Sequence, residues 1–368
     1  MRVAIIHYWL VRMRGGEKVL EALCDIFPNA DIYTHVCDVS AISDKLKAHK
    51  IETTFIAALP YARKMYRKYL PLMPMALEQI DLGAYDLVIS SEAGPAKGVI
   101  PPCPALHVCY CHSPMRYIWN MYHRYYDSSG LMTHLMMPPL AHYLRTWDVA
   151  TANRVDDFVA NSWTVAQRIK RYYRRDASVI HPPVDTAAFE PVQPGEIGDY
   201  HLMVGELVGY KRPDLAVEAF NRLKSKLVVI GGGEMLERLR RIAGPTVTIL
   251  GSQPSDVLKH HYARCKALVF PGEEDFGIVP VEAMASGRPV IAFGRGGATE
   301  TVIANKTGVF FANQTVEDLI DAVERVERLD FNPADAVSRA ADFRRDVFIG
   351  RFRAFVERAA GTELALRA

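Results

Sequence analysis

The strongest constraint on this chain is an alternation: short apolar runs of strand length recur between longer amphipathic stretches along its 368 residues. Val3–Trp9, Asp31–Val36, Asp86–Ser90, Leu106–Cys111, Phe158–Asn161 and Ser178–His181 read as strands in the first half. His201–Leu207, Leu227–Gly231, Val247–Leu250, Ala267–Pro271, Val290–Phe293 and Gly308–Phe311 do so in the second. Helical periodicity lies between them, as in Gly16–Phe27, Thr164–Tyr173, Pro213–Leu223, Met235–Ile242 and Val316–Arg328. This order predicts parallel sheets with helices on both faces. Pro182–Tyr200 carries four prolines and two glycines and reads as a linker. The expectation is therefore an α/β chain of two Rossmann-like, doubly wound domains, residues 1–185 and 186–342. In such sheets ligands bind at the carboxyl ends of the strands, so two domains facing a cleft would bring both sets of loops to it.

Composition narrows the partners. With 49% hydrophobic and 23% charged residues, a packed core is expected. A net charge of +2 gives no global field for a nucleic acid, and none is expected as partner. No apolar run is long enough to cross a bilayer. The opening Met1-Arg2-Val3-Ala4-Ile5-Ile6 lacks a small-residue cleavage site and reads as a first strand, which predicts a cytoplasmic protein. Cys109 and Cys111 lie between His107 and His112, which invites a metal reading. The plainer one, small buried hydrophobes on a strand, is preferred. The chain has no Asp-x-Asp motif, and no metal or other cofactor is expected.

The most informative segment runs from Phe270 to Ile291. A strand ends at Pro271, an acidic loop follows, and a helix starts near Ile278. The backbone amides of Phe276, Gly277, Ile278 and Val279 are donors at that helix start, suited to a diphosphate. Glu274 precedes the helix, where a carboxylate accepts from sugar hydroxyls. Glu282 lies one turn in, where it accepts from a ribose diol. A solvated acidic helix start explains Glu273 to Asp275 as well, but not an acid interrupting the apolar run Ile278–Ala285.

Those acids resemble the Glu-x7-Glu signature of retaining glycosyltransferases of family 4, which have the GT-B fold. The resemblance implies that Glu274 contacts the donor sugar and Glu282 the nucleotide ribose. Other loops extend it. Gly15 and Gly16 follow the first strand and open a helix, where the family's loop faces diphosphate and acceptor. Cys111-His112-Ser113-Pro114-Met115-Arg116-Tyr117 is similar to the family's reaction-centre loop, which implies that His112 stands beside the transferred sugar. Lys211 and Arg212 precede Pro213 at a predicted helix start, placing Lys211 to neutralise a leaving diphosphate. The family usually has arginine directly after the glycine here. This chain has Glu206, so Arg212 or the helix amides must supply that charge. Gln253, after a strand, is placed for the nucleotide base, and Gly297 lies in a stretch similar to the family's Gly-Gly-x-x-Glu loop. The resemblance also implies that a closing helix, about residues 343–368, packs back on the first domain.

The implied reaction is hexosyl transfer from a nucleotide sugar to a lipid-linked or glycan acceptor, with retention and by a front-face mechanism. His112, Lys211 and Glu274 are its candidate catalytic residues. Similarity to bacterial mannosyltransferases of exopolysaccharide and O-antigen assembly makes GDP-mannose the leading donor. A UDP-sugar is the rival, and a nucleotide-binding homologue with weakened transfer is the alternative motivated by Glu206. Finally, Arg63, Lys64, Arg67 and Lys68 would form one basic helix face among Tyr and Met residues. A solvated face and an anionic membrane surface are both compatible with it; the latter would place the protein at the inner face of the cytoplasmic membrane.

Overall fold

The computed structural model describes residues 1–127 and 130–367, with side chains up to 361. Two compact units emerge: Met1–Pro182 together with the stretch from Phe348 onward, and Pro183–Val347. Each is built on one sheet.

In the first unit the strands are β1 (Val3–His7), β2 (Asp31–Thr34), β3 (Ile51–Thr53), β4 (Leu87–Glu92), β5 (Leu106–Cys111), β6 (Asp157–Ala160) and β7 (Ala177–Val179). Among the described residues they form one parallel sheet in the order β3-β2-β1-β4-β5-β6-β7. β1, β4 and β5 are buried at every position, as strands covered on both faces must be. The helix Gly15–Ile26 seals one face with Val19, Leu20 and Leu23. The closing helix Arg345–Arg367 adds Phe348, Phe352, Phe355 and Val356 to that core. Their spacing makes one helix stripe, and two of these rings meet Tyr110 at 5.6 and 6.1 Å. Each buried ring stabilises by about 1.5–3 kcal/mol. Ala368 and the side chains of 362–367 lie outside the described residues.

The second unit has β8 (His201–Val204), β9 (Leu227–Ile230), β10 (Val247–Gly251), β11 (Leu268–Phe270), β12 (Val290–Phe293) and β13 (Gly308–Phe311). These are parallel too, in the order β10-β9-β8-β11-β12-β13. Helices Pro213–Leu223 and Val316–Glu327 cover one face through Leu215, Ala219, Phe220, Leu319 and Val323. Helix Ile278–Ala285 packs on the other through Val281 and Met284.

In both sheets the strand order reverses once, at β1/β4 and at β8/β11, and that point is where doubly wound sheets bind ligands. His7, Ser91 and Glu92 end the strands at the first switch point. Gly205 and the Pro271–Glu274 loop follow the strands at the second.

Two sequence expectations change. The stretch expected to link the domains is packed: Val184 is buried, its N–H bonds Phe343 O at 2.9 Å, and Phe189 meets the ring of Tyr262. It carries 3₁₀ turns at Thr186–Ala188 and Pro194–Glu196, the second opened by Pro194. The basic segment is not one α-helix either. Ala62–Met65 is helical, Tyr66–Leu72 is 3₁₀, and a new α-turn begins at Met73. Pro71 lies inside the 3₁₀ stretch and Pro74 opens the next turn. Proline removes donors and disfavours the α conformation before it. Arg63, Lys64, Arg67 and Lys68 are all exposed, but they do not share an i, i+4 face.

Candidate functional site

In the second unit the candidate residues gather at the β8/β11 switch point. The turn Gly209–Lys211 follows β8, and Arg212, in the left-handed region at φ 52°, caps helix Pro213–Leu223. Lys211 therefore stands just ahead of the cap rather than on the helix. Its side chain reaches back so that Nζ lies 2.8 Å from Glu274 Oε1. Oε1 has no well-aligned hydrogen-bond donor, so charge rather than hydrogen-bond geometry holds the pair. Both side chains are about four-fifths shielded, at 16% and 21% exposure. Burial pulls the Lys211 ammonium pKa down, but the Glu274 carboxylate, with Tyr210 and Glu206, raises it above its ordinary value.

Glycines bring these loops together. A Cβ at Gly272 would lie 2.6 Å from Lys211 Cα, so only glycine lets the loop after β11 rest on the lysine turn. From the other side Gly297 N–H donates to Glu274 O at 2.8 Å, and a Cβ at Gly297 would lie 2.2 Å from Phe276 Cα. The loop Gly294–Gly297 thus buttresses the backbone that carries Glu274. Gly277, at φ 86°, then turns the chain into helix Ile278–Ala285. Phe276 is buried against Phe343, 5.4 Å between rings, so its side chain belongs to the core. The first turn of the helix offers the N–H groups of Ile278 and Val279, while Pro280 has none. This is an anion-favouring helix end beside a paired ammonium and carboxylate.

Glu282 faces β11's neighbour helix Ser255–Arg264, where the Tyr262 hydroxyl donates to its Oε2 at 2.8 Å. Burial pushes the Glu282 carboxyl above the usual range, and the Tyr262 bond only partly counters it. Gln253 sits in the loop after β10 with Nε2 bonded to Leu250 O at 2.8 Å, leaving its carbonyl to act as acceptor. Arg212 is less available than expected. Its Nε lies 3.3 Å from both oxygens of Asp214, so its charge is already matched. Glu206 is exposed.

The first unit holds the rest at the β1/β4 switch point. Gly15 and Gly16 open helix Gly15–Ile26, and a Cβ on Gly16 would meet the Tyr8 hydroxyl at 2.4 Å. His112 follows β5, its N–H bonded to Glu92 O at 2.7 Å and its Nε2 2.9 Å from Ser91 Oγ. Tyr110 lies edge-on to the His112 ring at 5.1 Å. The neighbouring His107, Cys109 and Cys111 are fully buried, and His107 is bonded to Ser90 and to Arg154 O. Among the described residues no three or more His, Cys, Asp or Glu side chains gather as metal ligands.

Sequence reading passed over Tyr262, His7, Glu17 and Ser91. Tyr262 carries no local signal, because its role depends on a contact across twenty residues. Glu17 directly follows Gly15 and Gly16, and its capping position in the first turn is visible from that spacing.

Residues 13–188 match the family described as Glycosyltransferase Family 4, and residues 188–342 match Glycosyl transferases group 1. The chain is 34% identical over 170 residues to the GDP-mannose-dependent alpha-(1-6)-phosphatidylinositol monomannoside mannosyltransferase of Mycobacterium tuberculosis, covering 39% of this chain and 44% of that protein. It is 30% identical over 214 residues to the D-inositol 3-phosphate glycosyltransferase of Mycobacterium leprae, covering 51% and 50%. The chain spans about half the length of the curated relatives it matches. The solved structure of Anabaena HepE in complex with UDP and glucose superposes with a TM-score of 0.70 at 16% identity, over 97% of this chain and 99% of that one. At that identity the likeness is one of fold.

Proposed function

Because this chain belongs to glycosyltransferase family 4 and has the GT-B fold, we propose that it transfers a hexose from a nucleotide sugar to an acceptor hydroxyl with retention. The observation that carries this reading is the Lys211–Glu274 pair, held 2.8 Å apart beside the amino end of helix Ile278–Ala285. The helix amides and Lys211 receive the diphosphate, Glu274 the sugar hydroxyls, and Glu282 the ribose. Gln253 lies near the base, and Gly15, Gly16 and His112 serve the acceptor side. The acceptor oxygen bonds to the anomeric carbon on the face from which the phosphate leaves. Its proton passes to the departing phosphate oxygen. The protein supplies charge and position, with neither metal nor covalent nucleophile.

GDP-mannose is the preferred donor. The named activity of the Mycobacterium tuberculosis relative supports it, and the UDP complex of HepE keeps a UDP-sugar in play. Thermal shift with GDP and UDP separately, followed by a donor screen on a lipid-linked acceptor, tests the reading. Transfer by wild type and its loss in Glu274→Ala is the expected result; a fully active variant would refute the donor site. A second reading, nucleotide binding with weakened transfer, draws on exposed Glu206 and on the matching of Arg212 by Asp214. Tight nucleotide binding without transfer to any acceptor favours it.

The acceptor is taken to be lipid-linked or a glycan, reached at an anionic membrane surface of the cytoplasmic face. Arg63, Lys64, Arg67 and Lys68 are exposed beside exposed Tyr61 and Met75. Leu70 of the same segment packs on the cluster of Met115, Ile118, Ala141 and Leu144, and helix Leu131–Thr151 exposes Leu131, Met132, Leu135 and Met136 at its start. Each basic residue near such a surface contributes about 1 kcal/mol. No described helix is long and apolar enough to cross a membrane. Flotation with anionic and neutral vesicles tests the surface: binding only to the former, lost when the four basic residues become Ala, is expected. Absence of binding to either rules it out.

A further inference from the structure

Three polar side chains of the first unit that the transfer chemistry described above does not use, Glu17, His7 and Ser91, form a line that ends on His112. Glu17 Oε1 lies 3.7 Å from His7 Nε2, His7 Nδ1 lies 3.1 Å from Ser91 Oγ, and Ser91 Oγ lies 2.9 Å from His112 Nε2. The fold positions each of them. His7 and Ser91 are directly paired in the register of β1 and β4. His112 follows β5, the next strand, with its N–H on Glu92 O. Glu17 is in the first turn of helix Gly15–Ile26, where Oε2 accepts the Arg14 N–H at 2.9 Å. Glu17, His7 and Ser91 are sealed from solvent, at 2%, 1% and 0% exposure. Burying three polar groups costs stability that apolar residues of the same size would not, so the line calls for a role.

We propose that Glu17, His7 and Ser91 act as a positioning relay that fixes the tautomer of His112, with the proton on Nε2 and a lone pair on Nδ1. The proton bookkeeping has one solution for a neutral His7. Burial pushes the Glu17 carboxyl up, but His7 and the backbone N–H groups of Glu17 and Arg14 outweigh it and hold the acid below its ordinary range. An ionised carboxylate attracts a donor, so His7 turns an N–H at Nε2 toward it. At 3.7 Å this is attraction rather than a hydrogen bond, and Nε2 has no other partner. Nδ1 of His7 is then an acceptor and takes the Ser91 hydroxyl proton. A hydroxyl donates one proton, so toward His112 Ser91 Oγ acts as acceptor, and His112 Nε2 must carry the hydrogen. Rings flank the line: Tyr8 lies against His7 at 4.2 Å with the two planes tilted by 32°, and Tyr110 and Tyr8 lie edge-on to His112 at 5.1 and 6.4 Å. Protonating His7 would reverse the chain. Its Nδ1–H would occupy Ser91 Oγ, the hydroxyl would turn to His112 Nε2, and the tautomer would switch. The use of this device, an acceptor nitrogen for a sugar or acceptor hydroxyl, rests on the proposed glycosyl transfer; the relay itself does not.

Histidine-labelled full-length protein, observed by two-bond proton–nitrogen correlation at mildly alkaline pH, reports tautomers directly. The His112 signals are assigned by their loss in His112→Asn. The expected result is His112 protonated at Nε2 in wild type, and a mixture of tautomers in Ser91→Ala and His7→Phe. Wild-type His112 protonated at Nδ1 overturns the proposal, as does an unchanged His112 pattern in both variants. The wild-type spectrum decides even where a variant does not fold. Transfer kinetics separate the two claims: if the tautomers behave as expected but His112→Asn transfers sugar normally, the relay stands and the assigned role of His112 falls.

Discussion

Lys211 Nζ and Glu274 Oε1 stand 2.8 Å apart, and they come from loops after two different strands, β8 and β11. Their approach requires Gly272, since any side chain there would collide with the lysine backbone. A pair of this kind holds both chains in place before a ligand arrives, which is the condition for electrostatic catalysis without reorganisation. Glu274→Gln keeps the shape and removes the charge. The expected outcome is a fall in kcat of about 10²–10³-fold, with nucleoside diphosphate affinity changed little, read by steady-state kinetics beside calorimetry.

Glu282 behaves differently because it is held by Tyr262 rather than by a cation. Its carboxyl is raised by burial. A folded-state pKa above the unfolded one favours folding below the unfolded value, and that contribution is lost as pH rises through the folded value. At neutral pH the charged acid therefore costs stability, and a ligand that donates to it recovers that cost. Glu282→Gln is expected to leave the melting temperature unchanged or higher, while nucleotide affinity drops by about tenfold or more, since a hydrogen bond to a charged group is worth roughly 1.5–3 kcal/mol. Melting curves with and without nucleotide check both halves; a variant that binds nucleotide as tightly as wild type removes Glu282 from the site.

Much of this is legible in the sequence. Pro213–Leu223, Val290–Phe293, Gly308–Phe311 and Leu106–Cys111 are elements whose ends are marked by Pro, Gly or a change of polarity, and the folded boundaries coincide with the sequence reading. β3 was not visible: Ile51-Glu52-Thr53 is three residues at a sheet edge, too short and too polar for a pattern. The segment from 61 to 75 has basic spacing that suits a helix, but its prolines break it into turns. At the site, Lys211, Glu274 and Glu282 stand in recognisable local contexts. Their partners do not. Tyr262 for Glu282, and Ser91 and His7 behind His112, are set by strand register and helix packing across long sequence separations. Arg212 shows the converse, since its cationic promise in sequence is met by Asp214 two residues on.

The glycines of the second unit separate into those required by contact and those that are not. A Cβ at Gly297 would lie 2.2 Å from Phe276 Cα and 2.3 Å from its carbonyl oxygen, and backbone cannot yield as a side-chain tip does. Gly209 has nothing within 4 Å of that position. Gly297→Ala is expected to cost about 1–3 kcal/mol, as overpacking does, and to lower transfer because Gly297 N–H carries the Glu274 carbonyl. Gly209→Ala should do neither. Urea titration followed by far-ultraviolet circular dichroism, with initial rates, compares them; equal behaviour of the two would mean that the Gly294–Gly297 loop does not support Glu274.

The first unit contains a buried cluster with one cation and two acids. Lys97 Nζ lies 3.0 Å from Glu92 Oε1 and closer still to Asp148, whose other oxygen accepts from Trp119 Nε1 at 2.7 Å and the Tyr173 hydroxyl at 2.9 Å. None of the three charged groups is more than 1% exposed. Burial, aided by the nearby Asp148, pushes the Glu92 carboxyl up to about 7, although Lys97 works the other way. Because this folded value lies above the unfolded one, Glu92 binds its proton more tightly in the native state. Its contribution is complete below the ordinary glutamate range and is lost as pH rises through about 7. The four tryptophans, Trp9, Trp119, Trp147 and Trp163, all lie in this unit, so their fluorescence reports its unfolding. Wild-type stability by urea should decline from about pH 4.5 to about pH 7.5 and level off above it, and Glu92→Gln should flatten that decline. Lys97→Met leaves two buried carboxylates without their cation and is expected to cost about 3–5 kcal/mol. A Lys97→Met protein as stable as wild type, or a Glu92→Gln protein with the wild-type pH slope, would show that the cluster is not ionised as its geometry implies.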